Sequence, residues 1–173
     1  MSRLRRLALS DRCFFVTCNM LRARGSLDHK DSEIIARVID ARRREHGFFL
    51  TAWVFLPDHW HAIIALRYPK TIALVMESIK VASTRQINSR QKNSGRLWQG
   101  RFFDRALRTV KEYNETVEYI HWNPVRRGLV ARPEEWKWSS VHEYGFEKNA
   151  DASDGPALRI DSVRLPEDEK ARI

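Results

Sequence analysis

With 31 Lys and Arg against 22 Asp and Glu in 173 residues, the chain is strongly basic, with one domain's length and enough residues to bury a core unaided by disulfides. The charge is uneven: residues 147–173 are net −2, which leaves +11 on residues 1–146. Nothing approaches the ~18 apolar residues of a membrane span, and no secretory apolar region follows the basic first six residues, so a cytoplasmic protein without membrane contact is expected. The basic body points to a polyanion, nucleic acid first, with a merely solvated basic surface as the plain alternative.

Residues 1–12 read as a basic arm and residues 13–18 as a first buried strand. Cys13 and Cys18 fall on opposite sides of that strand and cannot bridge, in keeping with a reducing compartment. After a polar loop, a helix is predicted to begin near Asp31 or Ser32, either able to cap it. Ile34, Ile35, Val38 and Ile39 form its apolar stripe, and Gly47 is its stop. Residues 48–56 predict a second strand, turned by Pro57-Asp58 into a third that starts with His59. Thr71 can cap a long helix with Ile72, Val75, Met76, Ile79 and Ile87 inward and Lys80, Arg85 and Arg90 outward. A polar loop around Trp98, a strand over 102–107 and a helix over 111–122, stopped by Pro124, complete the pattern. Strand, helix, strand, strand, helix, strand is the split βαβ, ferredoxin-like order, an α+β fold with an antiparallel sheet. Residues 1–146 are read as the domain and 147–173 as a charged, weakly ordered tail.

The informative stretch is Pro-Asp-His-Trp-His at 57–61. On a strand, alternate side chains share a face, so His59 and His61 face one way, ~7 Å apart at Cα, and Trp60 the other. Two such imidazoles can converge on one divalent ion, or they are two ordinary histidines at a strand entrance. On the 111–122 helix, Tyr119 and Asn123 lie four apart and share a face. Asn123 offers a carbonyl oxygen as a third ligand, and Tyr119 a phenol that could attack an electrophile or simply pack in the core. His121 points elsewhere and is a poor ligand.

The string PDHWHAIIAL resembles the His-hydrophobic-His strand of the HUH single-strand DNA nucleases. LWQGRFFDRALR, EYIHWNPVRRGLV and WKWSSVHEY then follow in the order seen in REP-associated tyrosine transposases. The likeness runs from about Phe14 to Tyr144 and implies the HUH endonuclease fold. It implies His59 and His61 as metal ligands, Tyr119 as nucleophile and Asn123 as the polar ligand four positions on, where relatives often carry Gln. Trp60 and Trp122 stand where smaller aliphatics are frequent, which leaves the chemistry untouched.

The implied reaction is a metal-dependent transesterification of single-stranded or hairpin DNA through a 5′-phosphotyrosine. Mg²⁺ or Mn²⁺ is expected over zinc from a mixed His and amide donor set, and no small-molecule cofactor is expected. No general base stands out. Lys80, Arg85, Arg96, Trp98, Arg101, Arg126 and Arg127 are the candidate nucleic-acid contacts, Trp98 through stacking if exposed. Trp136 and Trp138 read as lids of the core. The alternatives are a non-catalytic hairpin-binding module and a phosphohydrolase using activated water. Monomer and homodimer stay open.

Overall fold

Alternation along each strand sends side chains to two faces, and here both faces are covered. The computed structural model describes residues 5–6, 13–144, 158–161 and 163–164. In chain order the elements are β1 (Arg5–Arg6), β2 (Cys13–Asn19), α1 (His29–His46), β3 (Phe49–Phe55), β4 (His59–Ala65), α2 (Ile72–Gln91), β5 (Phe103–Ala106), α3 (Val110–Arg126) and β6 (Val163–Arg164). The main sheet runs β3-β4-β2-β5 with every neighbour antiparallel, and β1 pairs with β6 in parallel. The four-stranded order is the predicted ferredoxin-like α+β arrangement.

On one face Val16, Cys18, Trp60, Ala62 and Ile64 pack with the inner stripes of α1 and α2. On the other Cys13, Phe15, Val54, Ile63 and Ala65 pack with Val117 and Ile120 of α3. Every residue of β4 is buried, as expected of a central strand covered on both sides. Among the described residues no helix is long and apolar enough to cross a membrane.

Two boundaries and one side-chain placement differ from the sequence reading. α1 starts earlier, because Asp28 rather than Asp31 or Ser32 is its cap. The Asp28 side chain accepts the Asp31 N–H at 2.8 Å and the Asp31 side chain accepts the Asp28 N–H at 3.1 Å. Gly47, at φ 70°, ends the helix as predicted. α3 does not stop before Pro124 but carries that proline inside its last turns. Thr71 caps α2 as expected, whereas Arg90 is not a free outer-face cation. It donates to Asp31 Oδ1 from Nε (3.1 Å) and Nη2 (2.7 Å), and to Asp28 Oδ2 from Nη2 (2.6 Å).

The proposed boundary at 146/147, much of the basic arm and most of the 147–173 segment lie outside the described residues. Within that segment, however, 158–161 is docked rather than loose. Leu158 is buried in the α1/α2 core, and Leu50 donates its N–H to Asp161 Oδ2 at 2.9 Å. The backbone of Asp161 also donates to the Leu50 carbonyl at 2.8 Å, and Arg43 Nη1 donates to the Arg159 carbonyl. An apolar anchor and a reciprocal backbone clamp on β3 overcome the segment's polar composition.

Asp31 is fully buried beneath Arg90, Gln91 and the α1 cap. Asp31→Ala is expected to lower unfolding free energy by about 3 kcal/mol in urea melts, since it strands those partners. Asp40→Ala, which loses a partly buried pair to Arg43 and an exposed one to Arg44 and strands no fully buried group, should cost less, about 1 kcal/mol. Burial pushes both the Cys13 and Cys18 thiols up to about 12, on opposite faces of β2. A thiol reagent at pH 8 is therefore expected to label neither in the native protein and both after denaturation.

Candidate active site

The Pro57-Asp58 turn is pinned by backbone bonds from Leu27 to the Pro57 carbonyl (2.7 Å) and from Met20 to the Asp58 carbonyl (2.8 Å). β4 leaves it with His59 and His61 on the α3 face and Trp60 in the opposite core, as strand alternation requires. The two Nε2 atoms stand 3.1 Å apart. Each Nδ1 is held from behind: His59 donates to Asp58 Oδ1 at 2.7 Å, and His61 Nδ1 lies 2.8 Å from Thr17 Oγ1. Burial lowers the pKa of both rings. For His61 the neighbouring His59 and Arg127 reinforce it, down to about 3, while Asp58 opposes it at His59. Both imidazoles are therefore neutral at physiological pH.

Above them runs α3. Asn123 Nδ2 lies 3.2 Å from His61 Nε2. One turn earlier Tyr119 packs its ring edge-on against His61 (5.5 Å between centroids) and Phe15 (5.8 Å). The Arg126 guanidinium carbon lies 5.2 Å from the Tyr119 ring centre, and Arg127 Nη2 donates to Asp58 Oδ2 at 3.1 Å. Tyr119 keeps 38% of its surface exposed, whereas His59, His61 and Asn123 are buried. His121, on another side of α3, is bonded to Ser140 Oγ at 3.0 Å and takes no part.

This donor set fits a divalent cation. Two cis ligands at ~2.1 Å from an octahedral ion stand about 3 Å apart, which matches the Nε2 separation. With its Nδ1–H given to a carboxylate, His59 presents an Nε2 lone pair; a shared proton or a cation between the rings reconciles 3.1 Å, Thr17 accepting or donating to suit. Which end of the Asn123 amide faces His61 is set by the bonding it makes, and a half-turn brings Oδ1 to the same position. Among the described residues no three His, Cys, Asp or Glu side chains gather as a metal cluster, so the set is two imidazoles and an amide.

Residues 13–123, from the first residue of β2 to Asn123, match the family model described as Transposase IS200 like. The chain belongs to the IS200-like transposase family. An Escherichia coli (strain K12) REP-associated tyrosine transposase is 30% identical over 143 residues, covering 82% of this chain and 84% of that one. A Haemophilus influenzae relative is 33% identical over 109 residues, 57% of this chain and 62% of its own. A solved structure of a REP-associated tyrosine transposase bound to a REP hairpin superposes with a TM-score of 0.70 at 30% identity, covering 83% of this chain and 84% of that one. The chain is thus an enzyme of the tyrosine transposase class.

In this IS200-like transposase the candidate DNA contacts divide. Lys80, Arg85 and Arg96 line one groove of about 570 Å³ beside α2, with Val81 and Glu77, and Arg101 is exposed just beyond it. Lys80 is partly committed, since its Nζ donates to the carbonyls of Gln99 and Gly100 at 2.7 and 2.8 Å. Trp98 is corrected: it is 2% exposed, its indole N–H donates to Ser83 Oγ at 2.9 Å, and it closes the α1/α2 core rather than offering a face to a base. Arg126 and Arg127 flank the site itself, Arg127 already paired with Asp58. The sequence reading passed over Asp58 and Thr17. Asp58 was legible as the residue before His59, but Thr17 only through the strand register that sets it opposite His61. It also gave no role to an exposed aromatic on β5, Phe103, whose ring meets Phe15.

Asp58 fixes the tautomer of His59 and anchors Arg127, so Asp58→Ala should loosen the donor set without emptying the core. Mn²⁺ affinity measured by calorimetry is expected to fall about 10–100-fold, the usual effect of losing a partner behind a ligating histidine. An unchanged affinity would remove Asp58 from that role.

Proposed function

We propose that the protein is a metal-dependent single-strand DNA endonuclease and strand transferase that acts on hairpin DNA of the REP type through a 5′-phosphotyrosine. The observation that carries this reading is the convergence, on one side of the sheet, of Tyr119 with two neutral imidazoles and the Asn123 amide. The hairpin substrate is drawn from the relative whose structure holds a REP hairpin and from the net +11 of residues 1–146.

When bound, a divalent cation, Mg²⁺ or Mn²⁺, supplies Lewis-acid polarisation of a non-bridging oxygen of the scissile phosphate. His59 and His61 would hold it through Nε2, and Asn123 through its amide oxygen. Tyr119 Oη attacks phosphorus in line: a Tyr119 O–P bond forms and the P–O3′ bond breaks. The phenol gives up one proton and the leaving 3′ oxygen gains one. Arg126, stacked over the Tyr119 ring, places positive charge where the phenolate develops. Because the ester is conserved in the phosphotyrosine, an incoming 3′-OH reverses the step and joins strands.

Single-stranded hairpin oligonucleotides from the DNA flanking the gene, labelled at either end, test this on a denaturing gel with Mg²⁺ or Mn²⁺. A protein-linked 5′ end is expected from the wild type and is lost in Tyr119→Phe and His59→Ala. Tight hairpin binding without any adduct would favour the binding module, and cleavage retained by Tyr119→Phe would point to activated water.

A further inference from the structure

β5 brings a residue to the site that neither the core nor the catalytic set uses. Phe103 is 53% exposed, on the face of the sheet that α3 covers chiefly over β3 and β4. In the β2–β5 register it stands opposite Thr17, the residue that holds His61. Its ring meets Phe15 edge-on with centroids 6.1 Å apart, and Phe15 in turn contacts the rings of His61 (5.3 Å) and Tyr119 (5.8 Å). A single intervening ring thus separates this exposed aromatic from both the nucleophile and a metal donor.

A lone exposed aromatic is ordinary on a protein surface. Position, not exposure, singles this one out. β5 is an edge strand, and its next two residues, Asp104 and Arg105, are exposed and charged, so the strand itself does not require an aromatic at 103. Arg105 shares the face of Phe103 and reaches Thr116 Oγ1 of α3 at 3.2 Å, while Arg126 covers the Tyr119 ring. An exposed aromatic on a face that also carries a guanidinium, one ring away from a phosphate-handling site, is the chemistry that seats a nucleotide of a single strand.

We propose that Phe103 is a stacking platform for the nucleobase next to the scissile phosphate, an inference that rests on the transposase reading above. Phosphates repeat along a strand, so cationic side chains alone leave the strand free to slip by one nucleotide. A base stacked on Phe103 fixes that register and holds one phosphate in line with Tyr119. Stacking reads no base edge, so the platform tolerates any base; its effect is on position.

The test uses hairpin oligonucleotides with 2-aminopurine placed in turn at each nucleotide of the single-stranded part, since stacking on an aromatic ring quenches that fluorophore. The wild type is expected to quench it at one position beside the cleaved bond. Phe103→Ala should abolish that quench and weaken capture of the single-stranded part about tenfold, equal to about 1.4 kcal/mol. Phe103→Trp should restore both, and Phe103→Leu, which keeps apolar bulk without a π-face, should restore neither. Binding of a blunt hairpin without the extension should be the same in all four proteins. Equal quenching and affinity in wild type and Phe103→Ala would overturn the platform even where the phosphotyrosine adduct forms. A wild type that forms no adduct and binds no hairpin would overturn the transposase reading, and the platform with it.

Discussion

Two imidazoles buried on the central strand of a sheet covered from both sides are the constraint around which the rest is arranged. Desolvation disfavours their charged forms, so both stay neutral, yet a neutral imidazole still carries a donor and an acceptor that need partners. Asp58 from the turn and Thr17 from the neighbouring strand occupy the two Nδ1 atoms. Both Nε2 atoms are thereby aimed at one point, with Asn123 completing it from above. The register of β2 against β4 is therefore part of the site: a slip by one residue would turn Thr17 and the histidines to opposite faces.

The helix above them depends on a local conflict. Proline removes one backbone donor and disfavours the helical conformation of the residue before it, here Asn123. α3 nevertheless continues to Arg126, with Asn123 and Pro124 both buried and the Arg127 N–H closing on the Asn123 carbonyl at 3.0 Å. The interruption falls within the last turns, where few helical bonds remain to be lost. Keeping Asn123 helical holds it one turn from Tyr119 over the same histidine. Arg127, just past the end, then reaches Asp58, so the end of the helix that carries Tyr119 is tied to the turn that holds His59.

What could be read from the sequence followed from periodicity. Strand alternation placed His59 and His61 together and Trp60 opposite, and helical spacing placed Tyr119 with Asn123. The resemblance of four ordered strings named the family that residues 13–123 match. What escaped depended on contacts between distant segments. Trp98, in a polar loop, looked like a surface ring, but its indole nitrogen finds Ser83 on α2 and its body fills the α1/α2 core. Arg90 looked like one more outward cation until α1 brought Asp28 and Asp31 beside it. The α1 boundary moved because a reciprocal cap between Asp28 and Asp31 is stronger than the single cap that composition suggested. The docking of 158–161 rests on Leu158 and Asp161, two residues whose partners on the sheet no local pattern announces.

The site is also asymmetric. α3 shields the part of the face over β3 and β4, and residues 158–161 clamp β3. β2 stays buried on that face at Cys13 and Phe15, whereas β5 is exposed at Phe103 and Arg105, and Tyr119 packs against Phe15. Its ring is fixed on three sides by His61, Phe15 and Arg126, yet more than a third of the residue meets solvent. In the reaction proposed above, Tyr119 cleaves and later releases a strand, and so has to meet two different DNA ends from one position. A ring held by packing, in a residue that keeps this exposure, meets that requirement without moving the helix. Were Tyr119 buried like His61, each exchange of ends in that proposed reaction would require α3 to lift and break the Asn123 contact with His61 and the Arg127 contact with Asp58. In that proposed reaction the exposure of Tyr119 thus lets His59, His61 and Asn123 stay in place while the strands change places.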